Sequence, residues 1–404
     1  MGHDASDKLI KSLCKLTFLP IFGTLCAKEQ STKDITMKSF VKPLLAVALI
    51  AACGGPAVNG PAGQSDDTET GTGTSDVSSL EGTGTSSYVQ RYEGTEAEGA
   101  ARGIVYDSAS DTIRVDNLPF DGSNTPYTRS SDLASIGGST LLSDPSATPA
   151  FRVYEAPDQV TDFVTGDPIP QMTYRAIYGE SINQVNGKPR SSFAIVRTGS
   201  YNEYGFGGFV FERNGTVKIP MPTTTSTSGA TQGVFTGDYA GIVDFDGSGG
   251  LVYVSGDAQM TVDFQDFNDQ TNLGDGVRAQ ISGRRYYSLT GTDITGNYLD
   301  ALNSDLGYAS GAGLTSVPIL QFQIQAGGVM NSNGEMEGSA YAQAPTSSGT
   351  ATSYQQGNFY AVISGDASST DNEIVGIVVV EGALGNSGTA RETGGFIVYR
   401  GANN

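Results

Sequence analysis

The residues best placed to do chemistry in this chain are acids, arginines and tyrosines. In Asp244-Phe245-Asp246-Gly247-Ser248-Gly249 two carboxylates stand two apart with a glycine at the sixth position, as in the opening of a calcium loop. The twelfth position is Ser255 and not an acid, and the segment joins predicted strands, so a hairpin turn is expected; Asp244 and Asp246 are weak calcium candidates. Asp263, Asp266, Asp269 and Asp275 form a looser set, expected to be a solvated loop. Arg284-Arg285-Tyr286-Tyr287 ends a predicted strand, while Tyr201 and Tyr204 share a glycine-rich hairpin with Phe206 and Phe209. Arginine and tyrosine dominate protein interfaces. Tyr201, Tyr204, Arg284, Arg285, Tyr286 and Tyr287 are therefore the candidate ligand contacts, barrel wall being the competing role for strand tyrosines.

Histidine and cysteine restrict the chemistry further. The single histidine is His3, and the cysteines are Cys14, Cys26 and Cys53. Residues 1–36 read as an N-terminal extension from an upstream start, so the mature chain has no histidine and one cysteine. That excludes Ser-His-Asp and Cys-His catalysis, histidine metal ligation, a disulfide framework and a cysteine zinc site. Paired carboxylates for glycoside hydrolysis are numerous but none is singled out, and tyrosine ligation of haem stays open. The expectation is a non-enzymatic chain with no catalytic residue, no cofactor and no resident metal.

From Met37 the sequence has the layout of a secretory signal: Lys38 and Lys42, an apolar run to Ala52, and then Cys53. Ile50-Ala51-Ala52-Cys53, followed by Gly54, resembles the bacterial lipobox. The resemblance implies removal of residues 37–52, a diacylglycerol thioether and an acyl chain such as palmitate on Cys53, and sorting to the outer membrane because Asp does not follow the cysteine. The competing reading is a single cleavable signal with a long basic region and a structural cysteine. Each buried methylene adds about 0.8 kcal/mol to such an anchor. No stretch reaches the length of a membrane-spanning helix.

The sequence carries 23 Lys and Arg against 43 Asp and Glu, a net charge of −20. Such a field repels nucleic acid and anionic lipid. The expected associations are with the membrane through acyl chains alone and with a protein or solute ligand, the chain itself being a monomer.

Residues 53–87 hold little but Gly, Thr, Ser, Pro and acids, and are expected to form a tether of about 30 Å reach. From residue 88 the pattern is short β-branched and aromatic runs cut by Gly, Asp and Asn. Residues 88–222 hold strands near 102–106, 112–115, 151–155, 173–178, 192–197 and 205–212, with long loops, as a small irregular sheet. Residues 223–404 hold eight, near 234–244, 251–263, 277–284, 318–325, 335–341, 357–364, 374–381 and 394–400. The turn sequences between them suggest an up-and-down barrel, filled or holding one small ligand. The alternation in 260–264 and 320–325 places one face inward and a polar face outward. The fold expected is all-β: a small irregular handle-like sheet followed by an eight-stranded antiparallel up-and-down barrel, soluble and lipid-tethered.

Ala390-Arg391-Glu392-Thr393-Gly394-Gly395-Phe396 resembles the A-x-E-x-G-G barrel ending of transferrin-binding protein B and related surface lipoproteins. Here Ala383-Leu384-Gly385 replaces the usual aromatic-aromatic-glycine upstream, and the aromatic sits at Phe396. The resemblance implies one handle-plus-barrel unit, capture of a host-type partner through loops, and exposure at the cell surface, with the periplasmic face as alternative. Ala390, Glu392, Gly394, Gly395 and Phe396 are read as structural. The glycines suit a strand that bends or lies on another backbone, and Glu392 suits acceptance of hydrogen bonds at a barrel end. An acidic adhesive or structural lipoprotein that binds calcium or cell-surface polymer is the second functional expectation.

Overall fold

The computed structural model describes residues 80–94, 101, 103–122, 125–137, 151–199, 204–219, 232–264, 276–324, 330–367, 371–384 and 388–401. Cys53, the lipobox residues Ile50, Ala51 and Ala52, and Tyr201 lie outside them, as do Asp266, Asp269 and Asp275. Among the described residues no helix is long and apolar enough to cross a membrane.

The N-terminal strands are β1 (Leu80–Thr85), β2 (Tyr88–Glu93), β3 (Gly103–Asp107), β4 (Thr112–Asp116), β5 (Tyr127–Arg129), β6 (Ser135–Ile136) and β7 (Phe151–Glu155). They are followed by β8 (Gln159–Thr161), β9 (Pro168–Pro170), β10 (Tyr174–Glu180), β11 (Gln184–Val185), β12 (Lys188–Pro189), β13 (Ser191–Thr198) and β14 (Gly207–Asn214). Ten of these make one sheet in the order β1-β2-β14-β13-β10-β7-β5-β4-β3, with β6 also on β7; β8 with β9 and β11 with β12 are separate ribbons. The sheet is larger than the sequence suggests because it begins at Leu80. Residues 80–87 were expected to be tether, yet β1 pairs with β2 from Leu80↔Glu93 to Thr85↔Tyr88. Glycine and threonine can occupy such an edge because the strand beside them supplies the apolar side chains: Val89 is fully buried.

After β15 (Val217–Lys218) come β16 (Gln232–Phe245), β17 (Ser248–Asp263), β18 (Val277–Tyr287), helix α1 (Thr295–Asp305), β19 (Leu320–Ile324), β20 (Glu335–Pro345), β21 (Ala351–Asp366), β22 (Asn372–Ala383) and β23 (Thr389–Arg400). Each strand from β16 pairs antiparallel with the next, and β23 pairs back onto β16 from Phe235↔Arg400 to Phe245↔Ala390. The result is a closed eight-stranded antiparallel barrel, so no edge is left for pairing. Its interior is packed with side chains, among them Phe235, Met260, Ile281, Phe322, Phe359 and Phe396. The rings of Phe322 and Phe359 lie 4.8 Å apart. In Leu320-Gln321-Phe322-Gln323-Ile324 the apolar residues are buried and the glutamines point outward, as the alternation requires.

β22 and β23 break that alternation. From Asn372 to Val380 every residue is buried, and the same holds from Glu392 to Val398. Strands covered on both faces read as continuous apolar runs. The cover here is the N-terminal sheet, whose Phe151, Phe193, Ile195, Phe209 and Phe211 pack on Ile242, Tyr360, Val362, Val375, Ile377 and Ile397 of the barrel's outer wall.

Helix α1 packs on the barrel core through Leu302, with Tyr298 and Leu299 beside it. Its N-terminus is held by Asp293, whose Oδ1 accepts the Thr295 N–H at 2.9 Å, and a carboxylate there also complements the helix dipole.

Candidate functional site

A bulge decides where the Arg284–Tyr287 run points. Ser255 pairs with Arg285 but Asp257 pairs with Ser282, so one residue of β17 opposes two of β18. Gly283 takes φ +61°, a left-handed conformation natural to glycine. The extra residue reverses the in-out parity of everything after it. Arg284 and Tyr286 therefore enter the barrel at 2% and 0% exposure. This corrects their reading as ligand contacts: neither side chain is presented to a partner. Arg285 does face solvent, where it pairs with Asp293 at 2.7 Å. Tyr287 is half-buried against the core between the sheet and the barrel.

Inside, Arg284 and Tyr286 converge on Glu392. The carboxylate accepts from Tyr239 Oη at 2.7 Å, Tyr286 Oη at 2.9 Å, Arg284 Nη1 at 3.0 Å and Gln355 Nε2 at 3.2 Å. Arg284 Nη2 donates to the Pro318 carbonyl at 2.9 Å and to Tyr354 Oη at 2.8 Å. Tyr286 stacks on Tyr298 of α1 at 3.8 Å. Burial, followed by the Glu392 charge, holds the Tyr239 hydroxyl well above its ordinary range. Burial does the same for Tyr286, opposed by Arg284 and reinforced by Glu392. Burial alone would lower the Arg284 pKa, but Glu392 and the surrounding tyrosines raise it. The cluster ties β16, β18, β21 and β23 together through Glu392 and both Nη atoms of Arg284, whose buried Nε has no hydrogen-bond partner among the described residues.

The two glycines of the A-x-E-x-G-G segment serve different sides of β23. A Cβ on Gly394 would overlap the Tyr239 ring inside the barrel, and one on Gly395 would overlap the Phe193 ring outside it. What lies on them is a side-chain ring in each case, where the sequence suggested a bend or a backbone. Ala390 and Phe396 are buried in the barrel core.

Asp244 and Asp246 sit at the β16–β17 hairpin, which turns at Gly247 with φ +63°. Asp244 is 1% exposed and bonded to Arg391 at 2.8 and 3.2 Å. Its Oδ2 is also 3.7 Å from Arg197 Nε. The carboxylate is thus already committed to two guanidinium groups. Arg197, from the N-terminal sheet, reaches Glu93 at 2.9 Å and Thr393 Oγ1 at 2.9 Å. Tyr204 lies beneath the Arg391 guanidinium at 4.3 Å, a cation–π contact. Tyr204 thus belongs to this junction and braces the sheet against the barrel. A second buried acid of the junction, Glu373, accepts from Ser181 at 2.7 Å, Asn183 at 2.6 Å and Ser191 at 2.5 Å.

The feature that the sequence reading missed is the β8–β9 ribbon. At its tip Phe163 is 98% exposed and Val164 76%. Asp162 Oδ1 accepts the Val164 N–H at 2.7 Å and the Thr165 N–H at 3.1 Å. Two further main-chain bonds close the turn, Gly166 N–H to Asp162 O and Asp162 N–H to Asp167 O, both 2.8 Å. The apolar pair is therefore held out on a braced turn flanked by Asp162 and Asp167. Asp-Phe-Val-Thr-Gly-Asp between prolines was the available signal: a turn sequence with two large apolar residues at its centre.

No family model matches the chain, and no curated protein does. Among solved structures, transferrin-binding protein B from Haemophilus parasuis Hp5, a vaccine antigen crystallised as a double mutant, is similar at 7% identity over 78% of this chain, with a TM-score of 0.27. Intact Ap-TbpB, with its N and C lobes, is similar at 8% identity over 80% of this chain, with a TM-score of 0.26. The chain spans 66% and 62% of the lengths of these two proteins.

Proposed function

We propose that this chain is a non-enzymatic lipoprotein, anchored to the outer membrane through Cys53 and exposed at the cell surface, that captures a protein ligand through the tip of the β8–β9 ribbon. The observation that carries this reading is Phe163, 98% exposed beside Val164 on a turn braced by Asp162. Single exposed apolar residues are ordinary on protein surfaces. Two adjacent ones on a rigid projection are an interface anchor, because little ordering remains to be done on binding. The two aspartates that flank the tip, Asp162 and Asp167, favour a partner whose apolar pocket has a basic rim. A packed barrel interior supports display of the ribbon from a stiff body in preference to storage of a ligand within it.

The anchoring half of the reading is tested by expressing the full chain and its Cys53→Ser variant in a diderm bacterium and following metabolically incorporated palmitate. Wild-type protein should carry label and sediment with the outer membrane, and the variant should do neither. Unlabelled wild-type protein would overturn the anchoring.

A further inference from the structure

The barrel wall that the N-terminal sheet leaves uncovered carries a run of uncharged polar side chains. Cross-strand register places Gln259 of β17 opposite Gln280 of β18, Gln280 opposite Gln321 of β19, and Gln321 opposite Tyr341 of β20. One uncharged row thus runs across four consecutive strands, spaced about 4.7–4.9 Å apart. Thr261, Arg278, Gln323 and Ser339 form the parallel row beside it. All point outward because Met260, Ala279, Phe322 and Ala340 of the same strands are buried inside. A shallow depression of about 390 Å³ lies over these rows, and a second of about 400 Å³ adjoins it at Gln259 and Gln280 and runs on past Thr236, Asp238, Asp257 and Ser282.

Four neutral amides and a tyrosine are a pronounced choice in a chain of net charge −20. Each glutamine offers both donors and acceptors. Gln280 Nε2 donates to Gln259 Oε1 at 3.1 Å, which aligns those two side chains and uses one donor of the first and one acceptor of the second. Tyr341, half-buried at the end of the row, presents an apolar ring face with a polar tip.

We infer that this wall is a binding face for a neutral polyhydroxylated chain, a glycan without carboxylate, phosphate or sulfate groups. Its hydroxyls, each donor and acceptor at once, match the amide row, and a sugar ring's C–H face matches Tyr341. Acidic polymers are disfavoured by the net charge and by Asp238 and Asp257 in the adjoining depression, against which the two rows set only Arg278. A peptide strand would need an open sheet edge, which the closed barrel lacks. A second copy of the chain would need an apolar centre to the patch, and the row has none. The proposal does not depend on the Phe163 ribbon.

The test is binding of the full chain to an immobilised panel of neutral and acidic glycans, compared with a Gln280→Ala/Gln321→Ala/Tyr341→Ala variant and with Phe163→Ala. Losing two amide contacts should weaken neutral-glycan binding about tenfold or more, with thermal unfolding of the triple variant lowered only modestly because all three side chains are on the outer wall and none is fully buried. Phe163→Ala should bind glycan as the wild type does. Absence of neutral-glycan binding, binding unaltered in the triple variant, or preference for acidic glycans would overturn the inference.

Discussion

Gly395 of the last barrel strand lies against the ring of Phe193 from the N-terminal sheet, so close that a single methyl group on the glycine would overlap it. The contact joins the two sheets at the centre of their shared apolar layer. It follows that Gly395→Ala should destabilise the protein by about 1–3 kcal/mol through overpacking. Much of that penalty should vanish in a Phe193→Ala background, where the ring is gone, and a double-mutant cycle by chemical denaturation measures the coupling. Additive effects would place the two residues apart.

Glu392 is the only carboxylate that answers the Arg284 guanidinium among its described hydrogen bonds. Glu392→Gln should cost about 3–5 kcal/mol, because it strands a buried cation. Glu392→Leu combined with Arg284→Met removes both charges and should cost less than Glu392→Gln alone. Denaturant midpoints for the three proteins decide the order.

Alkaline pH should unfold the protein through its barrel tyrosines. Tyr239 and Tyr286 have folded pKa values well above the ordinary 10.0. Raised groups contribute stability that is fully present below the unfolded pKa and is lost as pH rises towards the folded one. Stability should therefore be flat through neutral pH and fall above about pH 10 by roughly 1.4 kcal/mol per pH unit for each such tyrosine. Tyr239→Phe should reduce that slope. Tyrosinate absorbance followed alongside circular dichroism reads both, and buried tyrosines ionising before the fold is lost would contradict the assignment.

The β18 bulge makes its own demand on backbone conformation. Gly283→Val places a β-branched residue at φ +61° and should cost of order 1–3 kcal/mol. Unfolding by urea would show it, and an unchanged midpoint would mean that the bulge is not where Gly283 sits.

That bulge also marks the limit of what the sequence could disclose. All eight barrel strands are legible, those with one wet face from alternation and turns and β22 and β23 from continuous apolar runs. Arg284 and Tyr286 were nominated as contacts by residue type, which does not report the side they face; an inserted residue sets that side here, and a glycine inside a strand was the hint. The run Ile374-Val375-Gly376-Ile377-Val378-Val379-Val380 announces burial on both faces, but not which element supplies the second cover. Glu392 was read on physical grounds as an acceptor at a barrel end; its donors, spread from Tyr239 to Gln355, are brought together only by barrel closure. Leu80 to Thr85 look like linker because pairing with β2 makes that strand, and composition does not report pairing.

The central claim, ligand capture through the braced ribbon tip, is tested most directly by binding of the full chain and its Phe163→Asp variant to host or growth fluid, read by quantitative mass spectrometry with melting curves of both proteins. The account predicts one dominant protein partner that the wild type retains and the variant binds at least about thirtyfold more weakly, while stability changes by less than about 0.5 kcal/mol because the side chain touches solvent. Equal capture by both proteins would contradict it.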